Sequence, residues 1–211
     1  MSSKLRLAVT KGRLLIDSIS MFEKMGLDCS NVKNPGRRLV HDIPNYSAQV
    51  VLAKAPDVIT YVENGVCDIG IVGKDTILEN GRSFYEVLDL GFGKCRFALA
   101  MPEGKDLRGT YRTPRIATKY TKVAADYFAA KGMDAKIIKI EGSVELAPII
   151  GLADAIVDLV DTGKTLLENG LVPVEIIYEI SARLIVNTAS MKLHKNEILD
   201  FIGKCEGALK G

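Results

Sequence analysis

Hydrophobic residues along this chain follow two alternating periods. Short apolar or β-branched runs, Leu5–Val9, Gln49–Ala53, Asp68–Val72, Arg115–Tyr120, Ala135–Ile140 and Ala155–Val160, have the density expected of strands buried on both faces. Between them lie segments with helical spacing. Leu14–Lys24 places Leu15, Ile19 and Phe22 on one face, and Pro56–Asn64 closes at Gly65. Thr76–Asn80, Thr121–Lys131 and a stretch near Ser143–Ile150 complete the helical set. Strand–helix alternation of this kind predicts parallel α/β units that hold ligands at the carboxyl ends of their strands. From Tyr85 to Pro102 the pattern changes to long extended segments, and LGFGKCRFALAMP reads as a crossing from one lobe to another. Glu175–Ile180 and Ala182–Val186 read as return strands, and Thr188–Leu209 as mostly helical.

The stretch from Gly151 to Gly170, GLADAIVDLVDTGKTLLENG, carries the strongest chemical signal. A buried strand runs into Thr162–Glu168, which begins with small and hydroxyl residues in a tight turn, then becomes helical and stops at Asn169-Gly170. The first-turn N–H groups of such a helix lack intrahelical acceptors, its dipole favours an anion, and Thr162 and Thr165 add hydroxyl donors. Gly163 lets the backbone approach a phosphate where a Cβ would obstruct it. Asp158 and Asp161 are poorly placed for phosphate, but suit sugar hydroxyls or a phosphate-bound Mg²⁺. This is not a Walker A loop, because the GxxxxGK[ST] spacing is absent. From Thr162–Thr165 alone, an ordinary turn with capping threonines stands beside the anion-site reading.

Other strand ends carry candidates of the same kind. Lys11, Gly12 and Arg13 follow the first strand, and Arg13 offers a planar fork for polyphosphate. Asn34–Arg38 is a turn with two arginines. Gly73, Lys74 and Asp75 end the Asp68–Val72 strand, where a simple helix cap competes with nucleotide contact. Tyr120 ends another strand. Glu145 could reach sugar hydroxyls or serve a helix dipole.

Composition narrows the partners. The 211 residues are 47% hydrophobic and 26% charged, as in globular proteins, with a formal charge of +2. That charge is too small to imply nucleic-acid binding, and no apolar run reaches membrane-spanning length. The N-terminus enters a strand without a signal-peptide hydrophobic region, which predicts a cytoplasmic protein. Cys29, Cys67, Cys95 and Cys205 form no CxxC pair and read as packed thiols; His41 and His194 are too few for a histidine metal centre.

Taken in order, KGRL, DIGIVGKD, LGFGKCRFALA, RIATKY, GSVELAP, GLADAIVDLVDTGKTL and SARLIVN resemble the ATP phosphoribosyltransferase family across essentially the whole chain. The resemblance implies a two-lobed α/β fold similar to periplasmic binding proteins, with a ligand cleft between the lobes. Residues 1–90, completed by 181–211, would form the first lobe, and 91–180 the second, with the 5-phosphate loop. It also implies attack by ATP N1 on the anomeric carbon of 5-phosphoribosyl 1-pyrophosphate. Thr162–Thr165 would then take the 5-phosphate, and Asp158 and Glu145 the ribose hydroxyls. Arg13, Lys11 and Arg37 would stabilise the pyrophosphate, while Gly73–Asp75 would face nucleotide. Mg²⁺ is expected through substrate phosphates, with no direct protein ligand assigned. The end at Gly211 matches the family's short form, a hetero-oligomer whose histidine control lies in a histidyl-tRNA-synthetase-like subunit. A non-catalytic two-lobed binding or effector-sensing module is the alternative.

Overall fold

The structure, a computed structural model, describes residues 4–81, 83–107 and 112–210. Two compact units are present, Met1–Gly93 with Ser181–Gly211, and Lys94–Ile180. The first unit opens with β1 (Leu5–Thr10), α1 (Arg13–Lys24), α2 (Ser30–Lys33), β2 (Val40–Ile43) and β3 (Ala48–Ala53). It continues through α3 (Ala55–Glu63), β4 (Ile69–Gly73), α4 (Lys74–Asn80) and β5 (Tyr85–Asp89). The second unit comprises β6 (Cys95–Pro102), β7 (Arg115–Thr118), α5 (Thr121–Ala130), β8 (Lys136–Lys139), α6 (Leu146–Ile149), β9 (Ala155–Val160), α7 (Lys164–Glu168) and β10 (Leu171–Ile180). The chain then returns to the first unit as β11 (Ala182–Val186), α8 (Ser190–Leu193) and α9 (Lys195–Lys210).

The first sheet has the order β2-β3-β1-β4-β11-β5, with β1 parallel to both β3 and β4. Alternate residues fill two cores. Leu7, Val9, Ile69, Ile71 and Leu184 pack with Phe22 of α1 and Phe201 of α9, whose rings meet edge-on at 6.0 Å. Ala8, Val72 and Ile185 face the opposite way, onto Val58, Ile59 and Val62 of α3. Burial on both faces explains why these strands are almost wholly apolar.

The second sheet has the order β10-β6-β9-β7-β8, in which β8, β7 and β9 are parallel. Ala98, Ala100, Ala117, Ile156 and Val160 lie under Val144, Ala147 and Leu166, so α6 and α7 cover this face. Parallel β7 and β9 therefore end at one edge, where the loops to α5 and α7 begin.

Some elements depart from the reading of the sequence. β2 is an unforeseen strand, because His41 and Ile43 point inward while Val40 is exposed, which scrambles the apolar alternation. β10 begins at Leu171 rather than Glu175, tolerating Pro173 because it is an edge strand with a register shift there. The C-terminal helical segment breaks at His194. Most relevant to the site, α7 follows its turn as the sequence predicts but has only five residues, Lys164–Glu168. Its dipole is correspondingly small.

Candidate active site

In the second unit the carboxyl ends of β7 and β9 gather a polar group. Gly163 adopts φ +79°, the left-handed turn that launches α7, while a Cβ there would meet only the Val160 side chain at 3.7 Å. Backbone conformation, not crowding, is what requires glycine here. The Lys164 N–H donates to the Thr162 hydroxyl at 3.4 Å, and the Leu167 N–H to the Gly163 carbonyl at 3.2 Å. Asp161, Thr162, Lys164 and Thr165 are exposed; the Lys164 ammonium lies 3.7 Å from Glu168, an open surface pair. With a helix this short, an anion at the turn would rely on individual N–H and hydroxyl donors rather than on the dipole.

Asp158 is partly buried one strand-end earlier. Burial pushes its carboxyl up to about 6, and nearby Glu145 adds to the rise. The Leu159 N–H, donating at 2.8 Å, and the Lys119 ammonium act in the opposite direction. Glu145, half-buried, stands at the N-cap of α6 without making a side-chain cap. Its carboxylate is thus available to something other than its own helix. Tyr120 turns away from this group: its ring meets Phe97 edge-on at 4.8 Å, and its N–H donates to the Thr118 hydroxyl. Thr118 in turn donates to the Val157 carbonyl at 2.6 Å, tying β7 to β9 at the site.

In the first unit, parallel β1 and β4 likewise end side by side, and the Thr10 hydroxyl donates to the Ile71 carbonyl. Lys11 is exposed and its N–H donates to the Ala53 carbonyl; Gly12 caps α1, whose first residue is Arg13. Arg37 and Arg38 sit in the turn before β2, lining an open recess of about 520 Å³ with Asn31, Asn34 and His41. The Leu52 N–H donates to the Leu39 carbonyl, which brings this turn to the same sheet edge. A Cβ at Gly73 would come within 2.1 Å of Asp75 Oδ1, so a larger residue there would displace the Asp75 carboxylate. Lys74 is committed elsewhere, with its Nζ 2.5 Å from Glu86.

Among the described residues no group of three or more His, Cys, Asp or Glu could hold a metal ion, and no helix is long and apolar enough to cross a membrane. Burial pushes the Cys29 and Cys67 thiols up to about 11 and Cys205 up to about 12, which marks them as packed thiols.

A family model described as ATP phosphoribosyltransferase (HisG) matches residues 54–207. The chain belongs to the ATP phosphoribosyltransferase family. The ATP phosphoribosyltransferase of Clostridium kluyveri is 57% identical over 203 residues, which cover 96% of this chain and 93% of the relative. Among solved structures, the ATP phosphoribosyl transferase (HisG:HisZ) complex from Thermotoga maritima contains a chain 32% identical, with a TM-score of 0.84 and 98% of each chain covered. The periplasmic aliphatic sulphonate binding protein SsuA from Escherichia coli shares the fold alone. It has 11% identity and a TM-score of 0.60, over 99% of this chain and 73% of its own. The two-sheet α/β architecture is thus that of the family and of periplasmic binding proteins.

One residue of the group escaped the reading of the sequence. Lys119 acts electrostatically on both Asp158 and Glu141, a role set by the parallel register of β7 beside β9. Its only sequence signal is its place directly before Tyr120, at the end of a strand.

Proposed function

We propose that this chain transfers the phosphoribosyl group of 5-phosphoribosyl 1-pyrophosphate to N1 of ATP, releasing pyrophosphate and opening histidine biosynthesis. The observation that carries this reading is the 57% identity to an ATP phosphoribosyltransferase over 96% of the chain. The reaction separates an anionic leaving group from a developing oxocarbenium ion, so orientation and electrostatic stabilisation supply most of the rate. N1 of ATP already carries a lone pair, and no base is needed to activate it.

Each candidate has a role its surroundings allow. The Thr162–Thr165 turn takes the 5-phosphate through N–H and hydroxyl donors. Glu145 and Asp158 accept hydrogen bonds from the ribose hydroxyls, Asp158 most fully when ionised. Arg13, with Lys11 and Arg37, holds the departing pyrophosphate, and Asp75 faces nucleotide. Mg²⁺ suits this donor set only as an ion carried on substrate phosphates, with Asp158 or Glu145 touching its water shell. When bound it offsets phosphate charge.

The Thermotoga maritima relative was solved as a HisG:HisZ complex, which supports a hetero-oligomer, and the family resemblance makes the second subunit a histidyl-tRNA-synthetase-like regulator. Histidine control then requires a histidine site on the partner and different affinities for two states. The test is incubation with ATP, 5-phosphoribosyl 1-pyrophosphate and Mg²⁺, with and without the partner, following the adduct's ultraviolet absorbance. Adduct formation is expected, with histidine sensitivity only in the mixed complex. Binding of both substrates without turnover in either preparation would make this a binding module instead.

A further inference from the structure

Arg96 and Arg183 each bury an Nε–H without a hydrogen-bond partner, but they differ in what holds the rest of the guanidinium. Arg112 and Arg115 hold Asp154, and Arg183 holds Glu86 and Asp89. Arg96, on β6, makes no ion pair among the described residues, and its Nε–H is buried without a hydrogen-bond partner. A buried donor left unmet is a standing cost of folding, and a guanidinium cannot shed its charge to avoid it. Such a group persists where a ligand supplies the missing acceptor.

Its position indicates which ligand. Arg96 pairs across the sheet with Val160, the last residue of β9, and Ala98 pairs with Asp158. Directly paired residues share a face, so Arg96, Asp158 and Val160 lie on the face covered by α6 and α7. β6 runs antiparallel to β9, which puts the start of β6 at the carboxyl edge of the parallel strands. From Val160 the chain reaches Gly163 within three residues, at most about 10 Å. Arg96 therefore sits on the strand end next to the turn at Thr162–Thr165, which presents N–H groups and hydroxyls.

We propose that Arg96 binds the 5-phosphate of the phosphoribosyl donor, its fork supplying the charge that the short α7 cannot. This deepens the phosphoribosyltransferase reading and rests on it. Backbone donors, threonines and the exposed Lys164, shared with Glu168, would hold a phosphate loosely in water, whereas a bidentate guanidinium adds charge and fixes orientation.

The experiment titrates the full-length chain with ribose 5-phosphate and with inorganic pyrophosphate, comparing wild type, Arg96→Met and Arg96→Lys, and records the melting temperature of each free protein. Arg96→Met should weaken ribose 5-phosphate binding about tenfold or more and leave pyrophosphate within about twofold. The free protein should melt no lower than wild type, because the variant removes an unmet buried donor. Arg96→Lys should recover part of the affinity, and it carries the comparison should Arg96→Met fail to fold. Unchanged ribose 5-phosphate binding, a loss falling on pyrophosphate instead, or a lowered melting temperature with binding intact would each overturn the assignment. If wild type neither binds ribose 5-phosphate nor forms the adduct, the phosphoribosyltransferase reading itself falls. If wild type does both and Arg96→Met matches it, only the role of Arg96 falls.

Discussion

The ends of β1 and of β9 share one design and differ in their means. Each is a buried parallel strand that passes through a glycine at positive φ into a helix. After β1 the helix is α1, 12 residues long, and the side chains at its start are the cations Lys11 and Arg13. After β9 the helix has five residues and the turn offers hydroxyls and N–H groups, with a carboxylate, Asp158, just upstream. In the proposed reaction the first end would hold diffuse negative charge as it builds, and the second would grip a fixed phosphate and orient a sugar. Identical topology thus leaves the choice of chemistry to helix length and to a few side chains.

The most direct way to break the comparison is Gly163→Val. A β-branched residue at φ +79° is strained, and relaxing the turn would scatter its donors. Affinity for 5-phosphoribosyl 1-pyrophosphate should fall about a hundredfold, roughly 2–3 kcal/mol, while ATP binding in calorimetry stays near wild type. Arg13→Ala tests the other end. Turnover in single-turnover kinetics should drop by about a hundredfold and substrate affinity by much less, with Arg13→Lys recovering only part. A normal chemical rate in Arg13→Ala would remove it from catalysis.

Asp158→Asn should separate function from stability. In the folded state the carboxyl is raised to about 6 from 3.8, so ionised Asp158 weighs against folding above pH 6, and the penalty vanishes below about pH 4. The variant should bind ribose 5-phosphate about tenfold less tightly. It should nevertheless melt higher at pH 8, by about 2–4 °C for each kcal/mol relieved, and like wild type at pH 4. A lower melting temperature at pH 8 would contradict the burial argument. The smallest effect is expected at Lys74→Met, whose ammonium is held by Glu86. Substrate affinity should stay within about twofold and stability should fall by about 1 kcal/mol or less, read by denaturant titration.

Strands buried on both faces, such as β1, β4 and β9, were plain in the sequence because tertiary burial leaves an unbroken apolar run. β2 was hidden by an inward His41, whose Nε2 lies 3.2 Å from the Arg38 carbonyl and so makes a polar residue acceptable at a core position. At the site, the turn at Thr162–Thr165 and the strand position of Asp158 were legible from local order, while their assignment to phosphate and ribose rests on the family resemblance. The approach of Lys119 to Asp158 and the turning of Tyr120 towards Phe97 were not. Each depends on register or on which face of the sheet a strand end presents, and a one-residue change would reverse it.

The place of β11, inserted between β4 and β5, carries a consequence for biosynthesis. Ser181 donates to Asp89 across 92 positions of sequence, so β4 and β5 leave the ribosome long before the strand that separates them. At roughly 5–20 residues per second, the nascent first sheet keeps an open slot for several seconds, its Ile69 and Ile71 backbone unpaired on that side. Every strand of the second sheet has by then been synthesised, because Lys94–Ile180 is continuous. The unit begun first is the one finished last, and until Val186 emerges its central edge is where a misplaced strand from another chain would pair.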